Sequence, residues 1–79
     1  MPRYYFDEYD GYTVTQDDEG LELDGIEAAR AEARKALPDI ARDVLPEDGD
    51  RRTMVVKVRD EAGTVLITAT LSMLIETAS

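Results

Sequence analysis

The chain has 79 residues, 18 of them acidic and nine basic, a net charge of −9, and neither Cys nor His. This length supports one small domain over residues 1–79, since such a chain buries only roughly 60% of its unfolded surface; a second domain and a deep cleft are excluded. So are disulfide and thiolate chemistry, and the imidazole that most often shuttles protons. The charge is concentrated at the front, where residues 1–27 hold nine acids against Arg3 alone. Such a front repels phosphate backbones and anionic lipid, so neither nucleic acid nor a membrane is an expected partner.

Residues 3–7 and 12–16 are rich in aromatic and β-branched types, which suit half-buried strands. Asp10-Gly11 between them reads as a hairpin. A two-residue turn sets Phe6 and Val14 on opposite faces. A three-residue loop with Gly11 left-handed sets Tyr4, Phe6, Tyr12 and Val14 on one face, and it is the expected form because one face must supply the core. Tyr5 and Tyr9 then lie on the other face. Asp17-Asp18-Glu19-Gly20 reads as a polar loop, with Leu21 and Leu23 covering one end of the core. Asp24 is the expected helix N-cap, and Glu27 completes a capping-box-like pair. Ile26, Ala29, Ala33, Leu37, Ile40, Ala41 and Val44 recur at helical spacing. Pro38 removes one backbone bond, but the period crosses it. One kinked helix is expected, with two helices meeting near Leu37 as the alternative, and Pro46 and Gly49 end it.

Residues 52–59 set Met54, Val56 and Val58 on one side, and 64–75 set Val65, Ile67, Ala69, Leu71, Met73 and Ile75 on one side. Asp60-Glu61-Ala62-Gly63 reads as the turn between them. Pairing 59 with 64 sets Val58 opposite Val65, Val56 opposite Ile67 and Met54 opposite Ala69. It also pairs 52 with 71, leaving Met73, Leu74 and Ile75 as an unpaired overhang. The predicted fold is α+β: a four-stranded antiparallel sheet in the order ββαββ, with one helix packed on one face. The helix stripe is expected to meet Phe6, Val14, Met54, Val56, Val58, Ile67, Ala69 and Leu71. The strand orders 2-1-3-4 and 1-2-4-3 both remain open.

Chemistry-bearing patterns are few. Neither Asp17–Gly20 nor Asp48-Gly49-Asp50 has the spacing of a calcium loop. There is no Gly-rich phosphate loop, and no carboxylate stands in an apolar context that would raise its pKa. No catalytic, cofactor-binding or metal-ligating residue is assigned; a non-enzyme without cofactor is expected. Arg51-Arg52 reads as the counter-charge to Asp48 and Asp50. The apolar run 64–75 is interrupted by Thr68, Thr70 and Ser72 and is too short to span a bilayer. The first residues lack a signal-peptide core, so a cytoplasmic location is expected. Tyr5, Tyr9, Val55 and Leu66, with the overhang Met73, Leu74 and Ile75, form the candidate partner surface. Its expected occupant is an unidentified protein, or a second copy in a weak homodimer through the last strand.

Pro2-Arg3-Tyr4-Tyr5-Phe6-Asp7, Asp18-Glu19-Gly20, Ala28-Ala29, Ala41-Arg42-Asp43, Leu45-Pro46, Asp50-Arg51-Arg52, Val58-Arg59-Asp60 and Gly63 span nearly the whole chain. In these the sequence resembles short proteins of rhizobia and related alphaproteobacteria that share a domain of unknown function. That resemblance implies no activity and no site residue. Pro38 departs from the pattern, where such sequences continue the helix. In Tyr4-Tyr5, Gly11-Tyr12-Thr13-Val14 and Glu27-Ala28-Ala29 the chain is also similar to HicB-type antitoxins, without their Pro-Gly strand or appended DNA-binding domain. The expected function is a small non-catalytic interaction or regulatory module; the second likeness implies the alternative, an antitoxin-like binder of a small basic toxin.

Overall fold

The computed structural model describes residues 1–47 and 49–78. Its elements are β1 (Arg3–Tyr9), β2 (Val14–Thr15), β3 (Leu21–Glu22), α1 (Ile26–Val44), β4 (Arg51–Arg59) and β5 (Val65–Leu74). The strands form one antiparallel sheet in the order β2-β1-β4-β5, and β3 pairs with the other end of the β1 edge that carries β2. The α+β class with a helix on one sheet face is as expected. The sheet has five strands rather than four, because Arg3 and Tyr4 take Glu22 and Leu21 as partners. Of the two open orders, the adopted one sets β1 beside β4. Asp48, expected to balance Arg51-Arg52 and weighed in the Asp48-Gly49-Asp50 reading, lies outside the described residues.

The core forms where the two apolar periods meet. Met54, Val56 and Val58 on β4 are each 0% exposed, and Ala29, Ala33, Ile40, Ala41 and Val44 of α1 are buried against the sheet. The small alanines let the helix lie close to the strands. Tyr4 is buried, and Phe6, Leu23, Leu37, Ile67 and Ala69 pack around this centre. The helix runs unbroken through Pro38, as one element. Its N-cap is Gly25 in extended backbone with no side-chain cap, not the expected Asp24; the Gly25 carbonyl accepts the first helical bond, from Ala29 N at 3.1 Å. Ile26, expected in the stripe, stands exposed at this first helical position, and Leu71 on β5 is likewise exposed.

Two registers differ from expectation. In the first hairpin Tyr9 pairs with Val14, so the loop holds four residues. Gly11 is left-handed, but the Asp10 carboxylate accepts from both Tyr12 N and Thr13 N, at 2.9 and 2.8 Å, and this takes up the extra residue. One residue reverses every face. Val14 therefore joins Tyr9 on the face away from the helix, and Tyr12 and Val14 are exposed rather than core.

In the second hairpin Asp60 and Thr64 close a three-residue loop, with Asp60 N donating to Thr64 O at 2.9 Å. Arg59 pairs with Val65, and a bulge then brings Val58 opposite Ile67, Val56 opposite Ala69 and Met54 opposite Leu71. Loop and bulge each slip the register by one. The two slips together preserve the faces beyond the bulge and shift β5 by two residues. Val65, paired with Arg59 before the bulge, is exposed on the open face rather than sharing a side with Ile67 as expected. The overhang therefore does not exist: Met73 pairs with Arg52, Leu74 pairs with Arg51, and Ile75 N donates to Asp50 O at 2.7 Å.

Candidate interaction surface

Because α1, the single helix among the described residues, lies over β4 and β5, the opposite sheet face is uncovered. Strand alternation sets Tyr5, Asp7 and Tyr9 of β1, Val14 of β2, and Thr53, Val55, Lys57 and Arg59 of β4 on that face. Tyr9, Val14 and Val55, flanked by Asp7 and Lys57, line a shallow, mainly apolar depression.

One end of this face is held by an ionic network. Arg59 donates to both Asp7 oxygens, at 2.7 and 3.1 Å, and to the Asp17 carbonyl at 2.8 Å. Its guanidinium stacks over Tyr5, 4.9 Å from the ring centroid. Asp17 N donates to Asp7 at 2.9 Å, and the Asp17 carboxylate accepts from Phe6, Glu19 and Gly20 N–H groups. This ties the loop between β2 and β3 to the exposed edge of β1. The Arg59 guanidinium holds Asp7 below the usual carboxylate range, against the opposing effect of partial burial. Burial also pushes Asp17 up, but its N–H donors, Gly20 foremost, outweigh that and leave it lowered. Glu8 points to the helix side. Burial first, then the nearby charges of Asp17 and Asp39, raises its pKa. Among the described residues no three acidic side chains converge as a metal site requires.

The residues expected to form one partner surface do not lie together. Tyr5, Tyr9 and Val55 share the open face; Tyr5 is half-buried beneath Arg59, and the Tyr9 hydroxyl is spent on Gly11 O at 2.8 Å. Leu66 is exposed at the β5 bulge. Met73 is half-buried on the helix side with its partner Arg52. Leu74, paired with Arg51, is exposed on the same open face as Val55 at the far end of β5, and Ile75 is exposed just beyond it.

Arg52 was missed. Instead of standing in solvent as a counter-charge it is 7% exposed. It donates to Asp10 O at 2.9 Å, to the helix-terminal Val44 O at 3.5 Å and to Glu47 at 3.0 Å, and it stacks 4.1 Å under Tyr12. A cation at the carbonyl end of α1 is also favoured by the helix dipole. The available signal was its even position, in phase with Met54, Val56 and Val58.

An α+β sheet with one bare face and one long bare edge, and with Asp7 and Asp17 held by internal donors, defines the class: a small single-layer-helix domain. The chain matches the domain of unknown function DUF6894 over residues 3–72, from the first strand into the last, and belongs to that family. No curated protein and no solved structure matches it. Among the described residues no helix is long and apolar enough to cross a membrane.

Proposed function

We propose that this domain is a non-catalytic, cytoplasmic protein-interaction module that binds its partner on the open sheet face around Tyr9, Val14 and Val55. The observation that carries this reading is the uncovered face itself: a sheet with a helix on one side leaves an apolar depression open on the other, and exposed apolar surface of this kind marks interaction sites. The carboxylates nearest to it serve the fold, as Asp7 and Asp17 are held by Arg59 and by backbone donors. The test is affinity capture from a rhizobial lysate, the first source to try given the sequence resemblance, with wild type and Val55→Arg side by side. A protein retained by wild type and lost with the folded variant supports the reading. Identical retention by both removes the open face as the site.

The antitoxin-like alternative rests on the acidic front and the HicB likeness. Asp7, Asp10 and Asp17 within that front are turned to internal N–H and guanidinium groups, which leaves fewer acids to meet a basic toxin. Co-expression with a small basic protein encoded beside the gene decides this alternative: relief of that protein's toxicity supports it.

A further inference from the structure

We propose that a second copy of this chain occupies the free edge of β5, joining two sheets into one of eight strands along the β2-β1-β4-β5 path. The inference goes beyond the open face proposed above to a second surface of the same domain. β5 runs ten residues, Val65–Leu74, and contains no charged residue, no Pro and no Gly, in a chain whose residues are 34% charged. Edge strands that stay single are ordinarily blunted by Lys, Pro or a short length. Here the bulge at the start of β5 is the one such device present. Ile75 N points to Asp50, so strand alternation turns the N–H and C=O groups of Thr68, Thr70, Ser72 and Leu74 outward. They form a ready ladder.

Three observations select a second copy as the occupant. The first is a groove on the helix side of β5, lined by Arg30, Ala31, Arg34 and Leu37 of α1 and by Ile67 and Ala69. An extended peptide pairing with β5 covers the edge and leaves this groove open. A second copy, related by a two-fold axis normal to the sheet, carries its own α1 on the same side. With strands about 4.8 Å apart, the two helices come within roughly 10–12 Å of each other, near helix-packing distance, and close the groove.

The second observation is charge. The acids Asp7, Glu8, Asp10, Asp17, Asp18, Glu19 and Glu22 lie on β1, β2, β3 and their loops. The β2 edge stands three strand spacings from β5, roughly 14 Å, which exceeds the Debye length of about 8 Å at physiological salt. Joining two β5 edges sets these acidic edges at the two outer ends of the assembly, so the repulsion between them opposes the contact weakly. The third is symmetry: one isologous contact satisfies both bare edges at once.

Sedimentation velocity at 50 and 500 mM salt tests the inference on wild type, Thr70→Lys and Thr70→Pro, with circular dichroism as the check on folding. Thr70→Pro removes an outward N–H and spares the ladder to β4. Thr70→Lys sets two like charges near the axis. The expected result is wild type at twice the 8.8 kDa chain mass, with a larger dimer fraction at the higher salt. Both variants are expected to be monomeric at the same concentration, the Lys variant through at least roughly tenfold weaker association. Wild type that is monomeric at both salts and high micromolar concentration overturns the inference, as does a dimer that the folded variants leave intact. Should Thr70→Pro fail to fold, Thr70→Lys decides alone. A monomer that still captures a partner through Val55 overturns the second copy and spares the proposed function; a dimer that captures nothing does the reverse.

Discussion

Gly20 stands at φ +73, and a Cβ there would lie 2.9 Å from both Arg3 Cγ and Tyr5 Cε2 and 3.0 Å from Tyr4 O. A left-handed L-residue costs about 1–2 kcal/mol before any collision. Gly20→Ala is therefore predicted to lower stability by at least about that amount, read as a lower urea midpoint at unchanged slope. Asp7, beside it in the same network, carries a pH dependence. Its folded pKa is lowered, chiefly by the Arg59 hydrogen bonds. A lowered carboxylate contributes stability that is present above the ordinary aspartate value of about 3.9 and is lost as pH falls through the folded value. Asp7→Asn is predicted to melt below wild type at pH 7, with the gap closing as pH drops below the ordinary aspartate range. Melts at stepped pH that show a constant gap would remove Asp7 as the titrating group. Arg52 shows how much one buried residue organises: it joins the first hairpin, the end of α1 and the following loop.

At the scale of elements, β4 is the centre of the sheet, paired on both sides. Its alternation is legible in sequence because period two needs no knowledge of partners. Val56 is 0% exposed, and a carboxylate there would lose its hydration. Val56→Asp is predicted to cost more than about 3 kcal/mol and to abolish the cooperative thermal transition. Val55→Arg, one residue away on the open face, is predicted to leave the midpoint within about 1 kcal/mol of wild type. Similar losses in both variants would contradict the face assignment. Loops were less legible. The Asp10 and Asp60 carboxylates each gather two N–H groups, and these bonds set the number of loop residues and hence the register.

For the whole molecule, the acidic edge and the uncharged β5 edge lie at opposite sides of one sheet. The basic residues that a nucleic-acid contact needs are partly committed elsewhere: Arg59 to Asp7 and Asp17, Arg52 to Asp10, Val44 and Glu47. The domain is predicted to show no salt-sensitive binding to duplex DNA or RNA at physiological salt, since such affinity rests on neutralising phosphates. A mobility shift at micromolar protein that weakens with salt would sink this, with Arg51 and Lys57 the first residues to examine.

Periodicity alone determined that an amphipathic helical segment spans this region and which faces of α1, β4 and most of β5 are turned to the core, since each follows from positions within one segment. That the segment runs through Pro38 as one helix rather than two was decided by the structure. Face parity in β5 survived a register two residues from the expected one, because the loop and the bulge each contribute one residue and parity repeats every two. In the first hairpin a single extra residue had no second slip to restore it, so Tyr12 and Val14 left the core. Tertiary structure alone decided the strand order, the short β3, the pairing of Met73 to Ile75 and the burial of Arg52. Each of those depends on partners far along the chain, with Arg52 and Asp10 42 positions apart. No local pattern encodes such distances; they are resolved when the helix covers one face of the sheet and every buried donor must find its acceptor.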